Sequence, residues 1–319
     1  MDFEKEMEKR VKAVETVILN YMPKDASYQK TVVDAMEYTM SAGGKRIRPL
    51  LVECTYELFG GSSEIVEPFM AALEMIHTYS LIHDDLPALD NDDYRRGRKT
   101  AHIVYGEAMA ILAGDSLLNY AYETAAKAFA MIPRTGADSV ETEESDAWSK
   151  ALYNELESRR NVECAMQILT SKPGIYGMIG GQVADVELTG TELDMEQLTY
   201  IYANKTGALI EAAMMIGAIL AGAGEDGIEK IRKVAYNIGM AFQIQDDILD
   251  ETATFEELGK PIHSDEKNEK VTYVTLHGIE EAAKEVERLS DEAVTLLKSI
   301  DGDSAFLVGL VRYLIHRKN

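Results

Sequence analysis

The chain has 319 residues, 46% of them apolar, so it can bury a sizeable core and is not a disordered polymer. With 32 basic and 55 acidic side chains its formal net charge is −23, which argues against nonspecific nucleic-acid binding and against docking on anionic lipid. An anionic ligand must therefore be held by local basic patches or by metal ions.

In chain order, the N-terminal MDFEKEMEKR carries no apolar signal region. Residues 4–20 predict an amphipathic helix with a stripe of Val11, Val14, Val17, Ile18 and Tyr21. A helix over 48–59 has Pro49 in its first turn. Residues 64–83 predict a long apolar helix with Pro68 near its start, and Pro87 ends it near Asp85. The acidic stretch 133–149, PRTGADSVETEESDAWS, reads as a surface loop inside one domain over 1–319, because the same helical patterning resumes on both sides. Asp194 with Gln197 resembles a capping pair that opens a helix. The longest apolar run, Ala212 to Gly224, is too short to span a bilayer and predicts a buried helix, with no stable membrane insertion. Residues 234–249 predict a further apolar helix and 279–298 a polar amphipathic one. Prolines number 7 and strand-type alternation is scarce, so the fold class is all-α. Cys54 and Cys164 show no metal-type spacing and read as free thiols in a reducing cytoplasm.

Two acid clusters stand out. In SLIHDDLPALDNDDYRRGR (80–98), Asp84, Asp85 and Asp90 gather where a helix ends. A helix C-terminus already carries partial negative charge, so three carboxylates there are unfavourable without a cation. In FQIQDDILDE, Asp246 and Asp250 lie one turn apart on a shared face, flanked by Asp247. Carboxylates with open positions suit Mg²⁺, whose octahedron is completed by waters and phosphate oxygens. Either cluster alone is as readily a solvated acidic face. Both end apolar runs, however, and buried acid pairs at the ends of core helices need a reason.

The bases concentrate in GGKRIRP (Lys45, Arg46, Arg48) and YRRGRK (Arg95, Arg96, Arg98, Lys99). Guanidinium forks match phosphate oxygens, and a preceding Gly-Gly pair lets backbone approach a ligand. Either cluster alone is more simply a set of surface bases paired with an acidic shell. Acid and arginine clusters together suggest diphosphate ligands, one held through Mg²⁺ and another directly.

These blocks resemble the trans-prenyl diphosphate synthase family, of the farnesyl/geranylgeranyl type. The matching stretches are GGKRIRP (43–49), EMIHTYSLIHDDLPALDNDDYRRG (74–97), GMIGGQVAD (177–185), KTG (205–207), FQIQDDILD (242–250) and GK…DEKNEK (259–270). The resemblance implies packed, mostly antiparallel helices around a deep central cavity, and a homodimer. It implies that Asp84, Asp85, Asp90, Asp246, Asp247 and Asp250 bind up to three Mg²⁺ on an allylic diphosphate. It places Lys45, Arg48, His77 and Arg96 at an isopentenyl diphosphate site. Arg95, Lys205, Lys260, Gln182 and Lys270 fall toward the allylic diphosphate, with Asp185 lining the centre. Thr206 and Gln243, catalytic with Lys205, would stabilise an allylic cation as fixed dipoles.

Chain length is read from the helix before Asp84. Tyr79 lies roughly 7.5 Å along the axis from Asp84, at ~1.5 Å per residue, with Ser80 one turn from it. In the family, a bulky residue five before the first aspartate, with two extra residues inside the motif, goes with a C15 product. Farnesyl diphosphate, made from isopentenyl and dimethylallyl or geranyl diphosphate, is the expected product, and C20 the alternative. Without the motif Tyr79 is an ordinary core aromatic. The 133–165 connection is longer and more acidic than is usual in the family. His263 stands where a small residue is more usual and reads first as a solvent-facing loop histidine, with a diphosphate contact as the alternative. Two readings of other classes remain: a metal phosphohydrolase of HD type using His77 and His83, and a non-catalytic partner subunit on the same fold.

Overall fold

The computed structural model describes residues 2–24, 27–135, 145–252 and 271–316. Helices α1 (Phe3–Asn20), α2 (Lys30–Met40) and α3 (Ile47–Leu58) lead to α4 (Glu67–Asp84). From Pro68 to Ile76 every side chain of α4 is buried, as expected of a helix that is apolar all round. A short hairpin, β1 (Tyr94–Arg95) and β2 (Arg98–Lys99), then leads through α5 (Ala101–Tyr105) into α6 (Glu107–Ala126). Helix α6 is the principal neighbour of α4 and runs antiparallel to it. His83 near the end of α4 has its Nε2 3.2 Å from the carbonyl of Ile111 near the start of α6. Gly114 makes the approach possible, since a Cβ there would sit 2.2 Å from the His83 ring.

The second half holds α7 (Ala128–Met131), α8 (Ser145–Ser171), α9 (Met178–Leu188) and α10 (Met195–Ile201). A π-helical turn, Tyr202–Thr206, joins α10 to α11 (Gly207–Leu220), followed by α12 (Glu225–Thr252). Helices α13 (Tyr273–His277), α14 (Ile279–Lys298) and α15 (Ala305–His316) complete the described chain. The main core includes Phe69, Leu73, Met75, Leu117, Met214 and Ile231, and a second one forms around Ile244 where α12 meets α14. Gly217 lets α11 lie against α3, because a Cβ there would fall 2.4 Å from the Val52 carbonyl. Among the described residues, no helix is long and apolar enough to cross a membrane.

The all-α class is as the periodicity indicated, and α14 spans the expected 279–298. Asp194 and Gln197 form a reciprocal capping box at the start of α10. Cys54 and Cys164 are free. Boundaries differ at α12, which runs over Glu225–Thr252 against the expected 234–249, and at α8. Helix α8 begins at Ser145, so 145–149, expected as loop, are helical. Asp146 in the first turn complements the helix dipole there. Residues 136–144 of the expected loop lie outside the described residues.

Candidate active site

Helix α4 ends at Asp84, and the chain turns back so that the Asp90 amide donates to the Asp84 carbonyl at 2.9 Å. This turn brings the first acid cluster around one helix end. The adjacent aspartates then diverge. Asp84 accepts from Gln182 Nε2 on α9 at 3.0 Å. Asp85 is buried and accepts from Arg95 Nε at 2.5 Å. Burial pushes the Asp85 carboxyl up to about 6 even though Arg95 opposes the shift, and burial raises Asp84 as well. Carboxylates in this condition gain from a nearby cation.

The basic side is assembled from α3, α4 and the hairpin. Arg46, one of the three bases in GGKRIRP, is structural: it is buried, donating to Glu74 Oε1 at 2.8 Å and to the Met40 carbonyl at 2.7 Å. Its neighbour Arg48 keeps a buried Nε with no hydrogen bond among the described residues, and burial pushes its guanidinium down to about 10. His77 is held well below its ordinary value by burial and then by Arg48, Arg96, Arg95 and Arg46, so it is neutral at pH 7. Arg96 occupies the left-handed region (φ 54°) and donates to the Gly43 carbonyl. Gly44 admits it, for a Cβ there would lie 2.6 Å from the Arg96 guanidinium. His77, Arg48 and Arg96 thus share one electrostatic neighbourhood.

Across the cleft, the π-turn carries Lys205 and Thr206. π-Bulges are frequent at functional sites because they displace side chains from helical register. Lys205 Nζ pairs with Asp185 Oδ2 on α9 at 2.6 Å, and Thr206 donates to Gln243 Oε1 at 2.8 Å. Gly181 sets the spacing, since a Cβ there would lie 2.2 Å from the Lys205 amide nitrogen. Asp185, Lys205, Thr206, Gln243 and Asp247 line a cleft of about 590 Å³ open to solvent.

The second acid cluster lies in the last turns of α12, with Asp246 half-buried and Asp247 and Asp250 buried. Asp247, expected as a metal ligand, is turned into protein at Oδ2. That oxygen accepts from the Tyr202 hydroxyl at 2.5 Å and from the Tyr273 amide at 2.9 Å. Its placing is that of an anchor between the π-turn, α12 and α13. Tyr202 was not legible as functional; its one signal is its position three residues before Lys205. Lys260, Lys270 and His263 lie outside the described residues.

Tyr79 is buried on α4 with its ring edge-on to His83 at a centroid distance of 5.8 Å, and its hydroxyl has no hydrogen bond among the described residues. Burial pushes that phenol up to about 12. Ser80 donates to the His77 carbonyl at 2.9 Å within its own helix. His83 is directed at α6 and away from His77, which does not fit a two-histidine metal site. Among the described residues no three acidic, histidine or cysteine side chains converge closely enough to cage an ion unaided. Mg²⁺ takes few protein carboxylates and fills its remaining positions from water and phosphate.

The polyprenyl synthetase family model matches residues 29–301. The chain belongs to this family. It is 43% identical over 289 residues to a geranylgeranyl diphosphate synthase of Cyanophora paradoxa, covering 90% of this chain and 88% of that protein. It is 37% identical over 311 residues to the farnesyl diphosphate synthase of Geobacillus stearothermophilus, covering 96% and 95%. A geranyltransferase from Helicobacter pylori, solved with magnesium and isoprenyl diphosphate, superposes with a TM-score of 0.78 at 28% identity, over 99% of this chain and 97% of that one. The protein is a short-chain trans-prenyltransferase of an Mg²⁺-dependent family that binds isoprenyl diphosphates. The phosphohydrolase reading falls with this membership.

Proposed function

We propose that the protein makes farnesyl diphosphate by adding isopentenyl diphosphate to dimethylallyl and then geranyl diphosphate. The observation that carries the C15 length is Tyr79. It is buried five residues before Asp84, on the helix along which a tail growing away from the acid clusters would run. A C20 product is the second reading, favoured by the 43% identity to a geranylgeranyl diphosphate synthase. Sizing the dephosphorylated products of wild type and Tyr79→Ala separates the two. A C15 alcohol lengthening in the variant supports the reading, and a C20 product from wild type refutes it.

The residues divide the chemistry. Asp84, Asp90, Asp246 and Asp250 would hold Mg²⁺, up to three ions, which supplies positive charge to the allylic diphosphate as its C–O bond breaks. Arg95 and Lys205 add fixed positive charge on the same leaving group. Arg48, Lys45, Arg96 and neutral His77 hold isopentenyl diphosphate so that its double bond meets the allylic carbon. The Gln243 carbonyl, already oriented by Thr206, faces the developing cation as a fixed dipole. A proton then leaves for the departed diphosphate, so no side-chain nucleophile is required. Asp85 and Asp247 act as anchors, for Arg95 and for the π-turn. We also propose a homodimer through α5 and α6, where Ile103, Val104, Ile111 and Leu112 are exposed. Such an apolar face is more often covered by a partner than left in water.

A further inference from the structure

The hairpin that carries Arg95 and Arg96 has only two residues per strand. Its turn residues, Arg96 and Gly97, both have positive φ (54° and 74°), as a type I′ turn requires. Arginine is a costly first residue for such a turn, and Arg95 stands directly opposite Arg98 in the register. A ribbon this short, with like charges face to face, is not stable alone. Its two arginines are relieved separately. Arg95 goes to Asp85, just past the end of α4, and the Arg98 guanidinium lies over the Tyr38 ring of α2, 4.5 Å from the centroid.

Tyr38 grips the same strand a second time, its hydroxyl donating to the Lys99 carbonyl at 2.8 Å. The ring is itself braced, meeting Tyr105 edge-on at 5.6 Å. Two residues beyond Tyr38, α2 ends at Met40, and the GGKRIRP segment follows from Gly43. That segment receives the Arg96 guanidinium on the Gly43 carbonyl. One tyrosine therefore ties the two basic segments into one body. Arg95 has its own anchor in Asp85. Among the described side-chain hydrogen bonds, that of Arg96 goes to Gly43 alone, so a loosened return strand is felt at Arg96 first.

We propose that Tyr38 is a positioning residue for the isopentenyl diphosphate grip, acting through Arg96 by clamping the Arg98–Lys99 strand to α2. This rests on the assignment of Arg96 to that diphosphate. Steady-state kinetics with isopentenyl and geranyl diphosphates test it. Tyr38→Phe, which keeps the ring, raises KM for isopentenyl diphosphate about fivefold, and Tyr38→Leu, which loses both contacts, by about twentyfold. KM for geranyl diphosphate changes less than about twofold in either. In an Arg96→Gln background Tyr38→Leu adds less than about twofold, because its route of action is already gone. Should Tyr38→Leu fail to fold, Tyr38→Phe and Arg98→Gln carry the same comparison, each expected near fivefold. An unchanged isopentenyl KM in the Tyr38 variants, with a raised one in Arg96→Gln, overturns the role of Tyr38 and leaves the diphosphate assignment standing. An unchanged KM in Arg96→Gln itself overturns both. Additive effects in the double variant, or equal rises in both KM values, mean a general structural role and overturn the proposal.

Discussion

Gln182 Nε2 lies 3.0 Å from Asp84 Oδ1, joining α9 to the end of α4 across 98 positions of sequence. The contact orients one of the two adjacent aspartates toward the cleft while Arg95 holds the other. Gln182→Leu removes the donor and leaves Asp84 free to rotate. Loss of an outer partner of a metal ligand typically costs ~10–100-fold in metal affinity or activity. The expected outcome is an Mg²⁺ requirement raised at least about tenfold, with little change in thermal stability. A magnesium titration of initial rate checks it, and an unshifted curve would remove Gln182 from this role.

Lys205 and Asp185 are paired at 2.6 Å. A lysine that neutralises a leaving group must share or surrender that partner when diphosphate arrives. Lys205→Ala is expected to lower kcat by about 10²–10³-fold, the scale for removing one preorganised charge partner of a transition state. Asp185→Asn keeps the shape and loosens the hold, with a loss of about tenfold. If Asp185→Asn proves as damaging as Lys205→Ala, Asp185 has a more direct task than holding the lysine.

Asp247 and Asp246 are neighbours with different expected phenotypes. Asp247 is buried against the Tyr202 hydroxyl and the Tyr273 amide. Tyr202→Phe should cost about 2 kcal/mol of stability, the range for a hydrogen bond to a charged group. Asp246→Ala should leave stability nearly unchanged and abolish the response to Mg²⁺. Denaturant unfolding alongside metal titration distinguishes them, and a fully stable Tyr202→Phe would show that Asp247 is not anchored as described.

His77 provides a pH signature. Burial and the surrounding arginines depress its value, so the native state excludes a proton that the unfolded chain accepts near 6.5. A depressed group contributes stability that is fully present above the unfolded value and is lost as pH falls below it. His77→Gln should therefore gain on wild type as pH drops from about 7 to 5. A difference in melting temperature that stays constant over that interval would mean that His77 protonates normally.

Much of this site was legible because its parts are close in sequence. Asp84, Asp85 and Asp90 meet through one helix end, and the apolar runs that position them have plain helical periodicity. What periodicity cannot show is which way each of two adjacent side chains points. Asp85 and Asp247 read as ligands beside Asp84 and Asp246, and only the distant Arg95 and Tyr202 show what else each of them holds. Arg46 likewise read as a phosphate base, while its partner Glu74 comes from another helix. Tyr38 carried no signal, since its grip depends on a hairpin about 60 residues away. The π-turn escaped notice too, because one extra residue per turn leaves no mark on the pattern of apolar positions.

The most direct measurement incubates the purified protein with dimethylallyl diphosphate, isopentenyl diphosphate and Mg²⁺, then sizes the dephosphorylated alcohols. The expected result is a dominant C15 alcohol, dependent on Mg²⁺ and lost in Asp84→Ala, with C20 and longer products appearing in Tyr79→Ala. A dominant C20 alcohol from the wild type would contradict the role given to Tyr79, and no condensation at all would contradict the account of the site as a whole.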